Sequence, residues 1–239
     1  MVTGGSSGLG LGCAQALAAE GAAVTLVARS AEKLAAALAT LPGEGHHALV
    51  GDVSDLDTVP GLVAAAEAAM GGIDIVVANA GGPPPGNFAS TPLDAYEPAL
   101  RLSMLSTVAL CKATVPAMQE RRWGRVVAIT SLSVRQPMAT LILSNAARAG
   151  LTGFLKTVAL EVAADGVTVN SLQPGLHTTD RLKALYGGDP AAAAQGVPSR
   201  TLGDPADFGR LCAMLCSDSA AFVTGAAIPV DGGAYAGLQ

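Results

Sequence analysis

The chain has 239 residues, half of them apolar but only 3% aromatic, and carries a formal net charge of −5 at neutral pH. This length and apolar content fit a single domain with a sizeable core, which Ala, Val and Leu must fill because aromatic residues are scarce. The acidic balance argues against nucleic acid or an anionic membrane as the main partner.

Predicted strands and helices alternate along the chain. Apolar runs rich in β-branched residues predict strands buried on both faces at 22–29, 46–52, 73–81, 124–131 and 166–175, with a last short strand at 226–233. Ala-rich stretches predict helices at 8–20, 31–41, 55–70, 92–120, 140–164 and 205–217, the third capped by Ser54 or Asp55. The alternation predicts an α/β fold: a Rossmann-like, doubly wound parallel sheet in three α/β/α layers, forming a single domain over 1–239.

The first predicted strand ends in a glycine-rich turn, VTGGSSGLG (2–10). Glycines at Gly4, Gly8 and Gly10 permit positive φ and let the backbone approach a pyrophosphate closely. The helix that follows directs its free N–H groups at the anion. Such a turn is weak evidence by itself, but between a strand and a helix it predicts dinucleotide binding. Because only Met1 and Val2 precede the turn, the first strand is expected to be very short.

The end of the second predicted strand indicates which dinucleotide is bound. An NAD site places a carboxylate here for the ribose 2′-hydroxyl, but this chain has Ala28, Arg29 and Ser30. An arginine can pair with a 2′-phosphate, and no carboxylate repels it. The sequence therefore favours NADP(H), with NAD(H) as the alternative. In the alternative interpretation Arg29 simply faces solvent.

These motifs together resemble the short-chain dehydrogenase/reductase family over nearly the whole chain. The resemblance rests on Thr3-Gly4-x-x-x-Gly8-x-Gly10, Asp52-Val53, Asn79-Ala80-Gly81, Pro174-Gly175 with Thr179, and the stretch 223–233. It implies a cofactor site formed by Thr3, Gly4, Ser6, Gly8, Leu9, Gly10, Arg29, Ser30, Asp52, Val53, Asn79, Ala80, Gly81, Arg148, Pro174, Gly175, His177 and Thr179.

The family's catalytic residues are only partly matched. The family has a Ser, a Tyr thirteen residues on and a Lys four residues further, with an Asn in the preceding helix. Ser131 aligns with the Ser, but Ser144 stands in the place of Tyr and Arg148 in the place of Lys, and Ser103 lies near the place of Asn. The stretch 136–148 resembles an atypical subgroup described as 3-oxoacyl-acyl-carrier-protein reductase-like.

The resemblance implies an NADP(H)-dependent oxidoreductase, similar to carbonyl or 3-oxoacyl reductases, with a non-standard centre. Ser131 and Ser144 would polarise the substrate oxygen, and Arg148 would hold the nicotinamide ribose but cannot readily give up a proton. A serine is a far weaker acid than a tyrosine, so another group or water must supply the proton. His177 is the first candidate for that donor and Tyr186 the second; alternatively His177 points to solvent.

Two other functions remain open. Ser131, Ser144 and Arg148 could form an oxyanion pocket of a non-redox lyase or isomerase. Alternatively, the chain is a catalytically inactive NADP-binding protein.

The remaining segments concern the substrate, the assembly and the location. Residues 177–205 are expected to close over a small carbonyl or alcohol substrate as a lid, opposite the proline-rich loop 81–88. The resemblance implies a homotetramer, or a homodimer, built on helices 92–120 and 140–164. Neither a membrane span nor a signal peptide is apparent. No metal ligands stand out, and the thiols of Cys13, Cys111, Cys212 and Cys216 are expected to be free and buried in a reducing cytoplasm.

Overall fold

The computed structural model describes residues 1–186 and 190–238 and has one seven-stranded parallel sheet at its centre. The strand order β3-β2-β1-β4-β5-β6-β7 reverses direction between β1 and β4, as in a doubly wound Rossmann-like sheet. The strands are β1 Val2–Thr3, β2 Thr25–Ala28, β3 His47–Val50, β4 Ile75–Ala78, β5 Gly124–Ile129, β6 Val167–Pro174 and β7 Ala227–Val230. The predicted fold class is therefore confirmed.

Helices cover both faces of the sheet and make the outer two layers. They are α1 Gly8–Ala19, α2 Ala31–Leu38, α3 Val59–Met70, α4 Tyr96–Leu100, α5 Ser106–Arg121, α6 Ile142–Val162, α7 Asp180–Tyr186, α8 Pro190–Gln195 and α9 Pro205–Cys216. One core layer packs α3, α5 and α6 on the sheet, and the other packs α1, α2 and α9 on the opposite face. Within the described ranges, no helix is long and apolar enough to cross a membrane.

The strand β1 lies at the middle of the sheet although it has only two residues, as predicted. Hydrogen bonds beyond its ends extend its pairing: Val77 N–H donates to the Met1 carbonyl (2.9 Å) and Gly5 N–H donates to the Val27 carbonyl (3.3 Å). These contacts place the glycine turn at the carboxyl end of β1, where ligands bind in sheets of this type.

The prediction that every strand is buried on both faces is wrong for β3. Its residues alternate between half-buried and exposed, and Val50 is 59% exposed. The reason is its place at one edge of the sheet, which depends on strand order and is not visible in the apolar run itself.

Two helix predictions also need correction. The third helix begins after Thr58, and neither Ser54 nor Asp55 caps it, because the backbone N–H and the hydroxyl of Ser54 both donate to the Asp52 carboxylate. The helix predicted at 92–120 is interrupted by a π-helical turn, Arg101–Leu105, between α4 and α5. The wider turn leaves backbone groups out of the regular ladder, and the Ser106 hydroxyl donates to the Leu102 carbonyl at 2.7 Å.

Candidate active site

The glycine turn joins β1 to α1 and brings its backbone close to the end of β4. Gly4 has φ +56°, which a side chain would rarely adopt. A Cβ on Gly10 would lie 2.3 Å from the Gly4 carbonyl oxygen and 2.6 Å from the Asn79 side-chain nitrogen. The turn therefore has the tight, side-chain-free form needed to approach a phosphate, and α1 begins at Gly8 with no side chain capping its N–H groups.

A buried polar cluster joins the turn to β4. The Thr3 hydroxyl donates to the Asn79 carbonyl (2.8 Å) and accepts from the Asn79 N–H (3.0 Å). The Asn79 side chain then donates to the Gly4 carbonyl at 3.2 Å. Because Thr3 is only 1% exposed, water cannot replace these bonds. The cluster thus fixes the distance between the glycine turn and the end of β4.

At the end of β2, Arg29 lies beside Asp52, with 3.9 Å between guanidinium nitrogen and carboxylate oxygen. Burial alone would raise the pKa of Asp52, but two hydrogen bonds from Ser54 and the charge of Arg29 hold that pKa below its ordinary value. Ser30 caps α2 by accepting from the Lys33 N–H at 3.3 Å. Arg29 and Lys33 both line the cleft, so two cationic residues lie at this end of it.

Lys33 was not among the residues predicted from the sequence. It lies in the first turn of α2, where it looks like an ordinary exposed helix residue. The signal that could have found it is its spacing: it comes four residues after Arg29, in the first turn of the helix that Ser30 caps, and both residues line the cleft.

The other end of the cleft carries Ser131, Ser144 and Arg148. Ser131 follows β5, and its hydroxyl accepts from the Ser133 N–H at 3.1 Å. Ser144 and Arg148 lie one turn apart on the buried face of α6 and are 6% and 7% exposed. An Arg148 Nη donates to the Ile129 carbonyl at the end of β5, at 2.6 Å. The structure therefore brings these three sequence-predicted residues together at the ends of β5 and α6.

Arg148 keeps its charge despite its burial. Burial, and secondarily the nearby charge of Arg181, lower the pKa of Arg148 to about 10, which still leaves the guanidinium protonated at neutral pH. Ser103 lies in the π-helical turn, is 3% exposed, and its hydroxyl has no hydrogen-bond partner within the part of the chain that the structure describes. Arg148, Ser131 and Ser144 form a polar end to a mostly apolar cleft.

His177 is buried and does not point to solvent, so that alternative interpretation is wrong. Its ring is 5% exposed and packs edge-on against Phe208, with ring centroids 5.2 Å apart. Its Nδ1 lies 3.2 Å from the Gly175 carbonyl and must donate to it, because a carbonyl only accepts. Burial lowers the pKa of His177, although that hydrogen bond and the charge of Asp204 oppose the shift. The ring is therefore neutral at pH 7, with its proton on Nδ1.

The segment predicted as a lid begins with a turn at Thr178–Thr179 and continues into α7. Arg181 donates to the carbonyls of Gly82 and Pro83, at 3.1 Å and 2.9 Å, across the cleft. The sequence did not single out Arg181, because its partners lie almost a hundred residues away. The side chain of Tyr186, the second candidate proton donor, and residues 187–189 of the predicted lid fall outside the described residues.

Most of these residues line one cleft of about 1030 Å³ that runs along the carboxyl ends of the strands. Its walls include sixteen of the eighteen residues predicted to bind the cofactor and all four predicted catalytic residues: Gly4, Ser6, Gly8, Leu9, Arg29, Ser30, Asp52, Val53, Asn79, Ala80, Gly81, Ser131, Ser144, Arg148, Pro174, Gly175, His177 and Thr179. Thr3 and Gly10 lie behind the wall and support it. The cleft volume matches that of sites for cofactor-sized ligands.

Comparisons with known proteins agree with this arrangement. A family model described as enoyl-(acyl carrier protein) reductase matches residues 4–235. The 3-oxoacyl-[acyl-carrier-protein] reductase FabG of Vibrio harveyi is 34% identical over 235 residues, covering 98% of this chain and 96% of that protein. The dehydrogenase/reductase SDR family member 4 of Bos taurus is 32% identical, covering 100% of this chain and 87% of that protein.

One solved structure with the same fold has a description that concerns its catalytic site. It is the NADPH-bound form of a short chain oxidoreductase from Pseudomonas aeruginosa PAO1, described as containing an atypical catalytic center. It is 34% identical to this chain with a TM-score of 0.92, and the match covers 99% of this chain and 96% of that one. Fold and site thus define an NAD(P)-dependent oxidoreductase. The chain belongs to the short-chain dehydrogenase/reductase family.

Proposed function

We propose that the protein is an NADP(H)-dependent oxidoreductase that interconverts a carbonyl and an alcohol with a non-standard catalytic centre of Ser131, Ser144 and Arg148. The observation that carries the proposal is that this polar cluster closes one end of the cleft while Arg29 and Lys33 stand at the other. When bound, the nicotinamide supplies or accepts the hydride. The chain's residues bind, orient and polarise the reactants.

The dinucleotide would lie across the cleft with its pyrophosphate at the glycine turn. The absence of side chains at Gly4 and Gly10 leaves room for that approach, since a Cβ on Gly10 would collide with neighbouring atoms. Preference for NADP(H) over NAD(H) is supported by Arg29 and Lys33, because a 2′-phosphate can accept charge-assisted hydrogen bonds from both. The carboxylate of Asp52, which lines that end, already pairs with Arg29 and accepts a hydrogen bond from Ser54.

At the reacting end, Arg148 would hold the ribose hydroxyls with the guanidinium donors that do not engage Ile129. The hydroxyls of Ser131 and Ser144 would donate hydrogen bonds to the substrate oxygen and stabilise the charge that develops on it. These hydroxyls are too weakly acidic to be left ionised, so Ser144 would act as a relay: its hydroxyl gives a proton to the substrate oxygen as it receives one that enters the cleft from bulk solvent.

His177 stays in the proposed site as a positioning residue, not as the proton donor. Its neutral ring carries its proton on Nδ1, which is committed to Gly175, so Nε2 has only a lone pair to offer. Its contacts with Phe208 and Gly203 fix the loop that follows β6.

The substrate panel that tests this proposal contains ketones, β-ketoesters and quinones, with NADPH followed by its absorbance. We expect turnover with at least one of these classes, and a loss of about 100-fold or more in kcat for Ser131→Ala and for Ser144→Ala. Thr157→Ala is the matched control, because Thr157 is an exposed hydroxyl residue on the same helix as Ser144. Substrate consumption without loss of NADPH would indicate the lyase or isomerase, and tight NADPH binding without chemistry would indicate an inactive binding protein.

We further propose that the protein assembles as a homotetramer, or as a homodimer, in the cytoplasm. Leu160 on α6 is 72% exposed and Phe222 before β7 is fully exposed, and burial of such side chains against a second copy is favourable. The four cysteines are all free and buried, which suits a reducing compartment. Light scattering that finds only monomer would contradict the assembly.

A further inference from the structure

A short segment, residues 178–183, crosses the cleft from the glycine turn to the end of β4; we call it the strap. At one end Thr179 lies close to the turn, since a Cβ added to Gly8 would be 3.3 Å from the Thr179 methyl carbon. At the other end Arg181 donates to the carbonyls of Gly82 and Pro83. Leu182 is buried and lines the cleft from the same segment. The strap therefore roofs the middle of the cleft.

The two parts that Arg181 joins are each fixed elsewhere. The loop after β4 is tied to the start of α6, because Gly86 N–H donates to the Thr140 carbonyl (2.8 Å) and Ile142 N–H donates to the Gly86 carbonyl (3.1 Å). The strap is tied at its start, where Thr178 N–H donates to the Gly203 carbonyl at 2.9 Å. A movement of the strap away from the loop thus has to break the two bonds of Arg181.

The contact of Arg181 with the loop after β4 requires glycine at position 82. A Cβ on Gly82 would lie 2.5 Å from an Arg181 Nη and 2.8 Å from its Cζ, closer than real contacts. The neighbouring acid, Asp180, pairs with Lys183 at 3.2 Å. Among the residues that the structure describes, Arg181 has no carboxylate partner. Its partners are backbone carbonyls, so the latch does not depend on a bound ligand.

We propose that Arg181 is a positioning residue that latches the strap to Gly82 and Pro83 and thereby controls the rate at which the dinucleotide enters and leaves the cleft. The inference rests on the proposed function for the identity of the ligand. In this proposal the two bonds hold the strap in the free and in the bound protein alike, so the latch slows entry and release by similar factors. It changes rates strongly and the equilibrium affinity little.

Stopped-flow fluorescence of NADPH binding tests this. For Arg181→Met we expect the association and dissociation rate constants each to rise about tenfold, while Kd stays within about threefold. The ammonium of Arg181→Lys can replace only part of the forked guanidinium, so its rate constants should lie between those of Arg181→Met and those of the unaltered protein. Gly82→Ala should also raise both rate constants, because its methyl group displaces the guanidinium. Combining Gly82→Ala with Arg181→Met should change the rate constants little beyond those of Arg181→Met alone. Lys183→Met, on the exposed side of the same helix, is the control and should leave both rates unchanged.

Hydrogen exchange provides a second readout that needs no ligand. The amides of 178–183 should exchange faster in Arg181→Met and in Gly82→Ala than in Lys183→Met, at matched melting temperature. Unchanged binding rates in both Arg181→Met and Gly82→Ala would overturn the inference. So would a weaker Kd with an unchanged association rate, since that pattern means direct contact with the ligand. If the unaltered protein binds no dinucleotide, the proposed function fails, and the proposed control of dinucleotide entry and release fails with it. Hydrogen exchange of the amides of 178–183 still decides whether the latch exists.

Discussion

The buried hydroxyl of Thr3 offers a test of how the glycine turn is held, because a second buried threonine provides its control. Thr3→Val removes the hydroxyl that bonds both the N–H and the carbonyl of Asn79, while changing the shape of the side chain little. Thr25, on the adjacent strand β2, is 0% exposed, and its hydroxyl has no partner within the described part of the chain. The same substitution should therefore have opposite effects at the two positions.

The magnitude follows from the groups left behind. A buried polar group that loses its partner costs about 1–3 kcal/mol, so two such groups in Thr3→Val should lower the free energy of unfolding by about 2–6 kcal/mol. For a chain of this length, each kcal/mol lowers the melting temperature by roughly 2–4 °C. Thr25→Val instead removes an unsatisfied hydroxyl, and we expect a gain of up to about 1 kcal/mol.

Calorimetric melting of both variants at one protein concentration measures the difference, and urea titration checks it. We also expect Thr3→Val to weaken NADPH binding, because Asn79 then no longer holds Gly4 in place. Equal destabilisation by Thr3→Val and Thr25→Val would show that the hydrogen bonds of the Thr3 hydroxyl do not stabilise the protein.

Three further predictions concern the cleft. Arg29→Ala should weaken NADPH binding by about 10- to 100-fold and leave NADH binding within about threefold, as measured by calorimetry. Lys33→Ala should have a smaller effect of the same kind, and the exposed Arg210→Ala should have none. Equal losses of affinity for both dinucleotides would rule out a 2′-phosphate site. Because burial lowers the pKa of His177, its neutral ring contributes stability that is fully present above about pH 6.5 and is lost as the pH falls toward the lowered pKa. In denaturant titrations between pH 5 and 8, the free energy of unfolding should therefore fall less on acidification for His177→Gln than for the unaltered protein. Parallel curves for the two proteins would contradict this prediction. Arg148→Met should leave the Ile129 carbonyl unpaired and weaken NADPH binding by about tenfold or more. Arg148→Lys should recover part of that loss of affinity. A Met variant that binds NADPH as tightly as the unaltered protein would exclude a ribose contact.

Much of the fold and of the cofactor cleft could be predicted from the sequence, because the signals are local. The glycine spacing and the strand–helix alternation are short patterns whose physical meaning does not depend on distant residues. The carboxyl ends of parallel strands meet at one edge, so residues that follow β1, β2, β4, β5 and β6 were expected around one cleft.

What the sequence did not reveal depends on distant parts of the chain. The latch of Arg181 involves carbonyls 99 and 98 residues away, and backbone carbonyls leave no mark in a sequence. The exposed face of β3 follows from strand order, and the π-helical turn at Arg101–Leu105 has no clear local signal. The sequence left open whether His177 faces solvent, because its burial comes from Phe208 on α9, which is distant in the chain.

Binding of a nicotinamide dinucleotide, with its pyrophosphate at the glycine turn and its 2′-phosphate at Arg29 and Lys33, underlies every other proposal made for the cleft. Isothermal titration calorimetry of the purified protein with NADPH, and separately with NADH, measures that binding. We expect one site per chain for NADPH, at least about tenfold tighter than for NADH. If neither dinucleotide binds, the cleft is not a dinucleotide site.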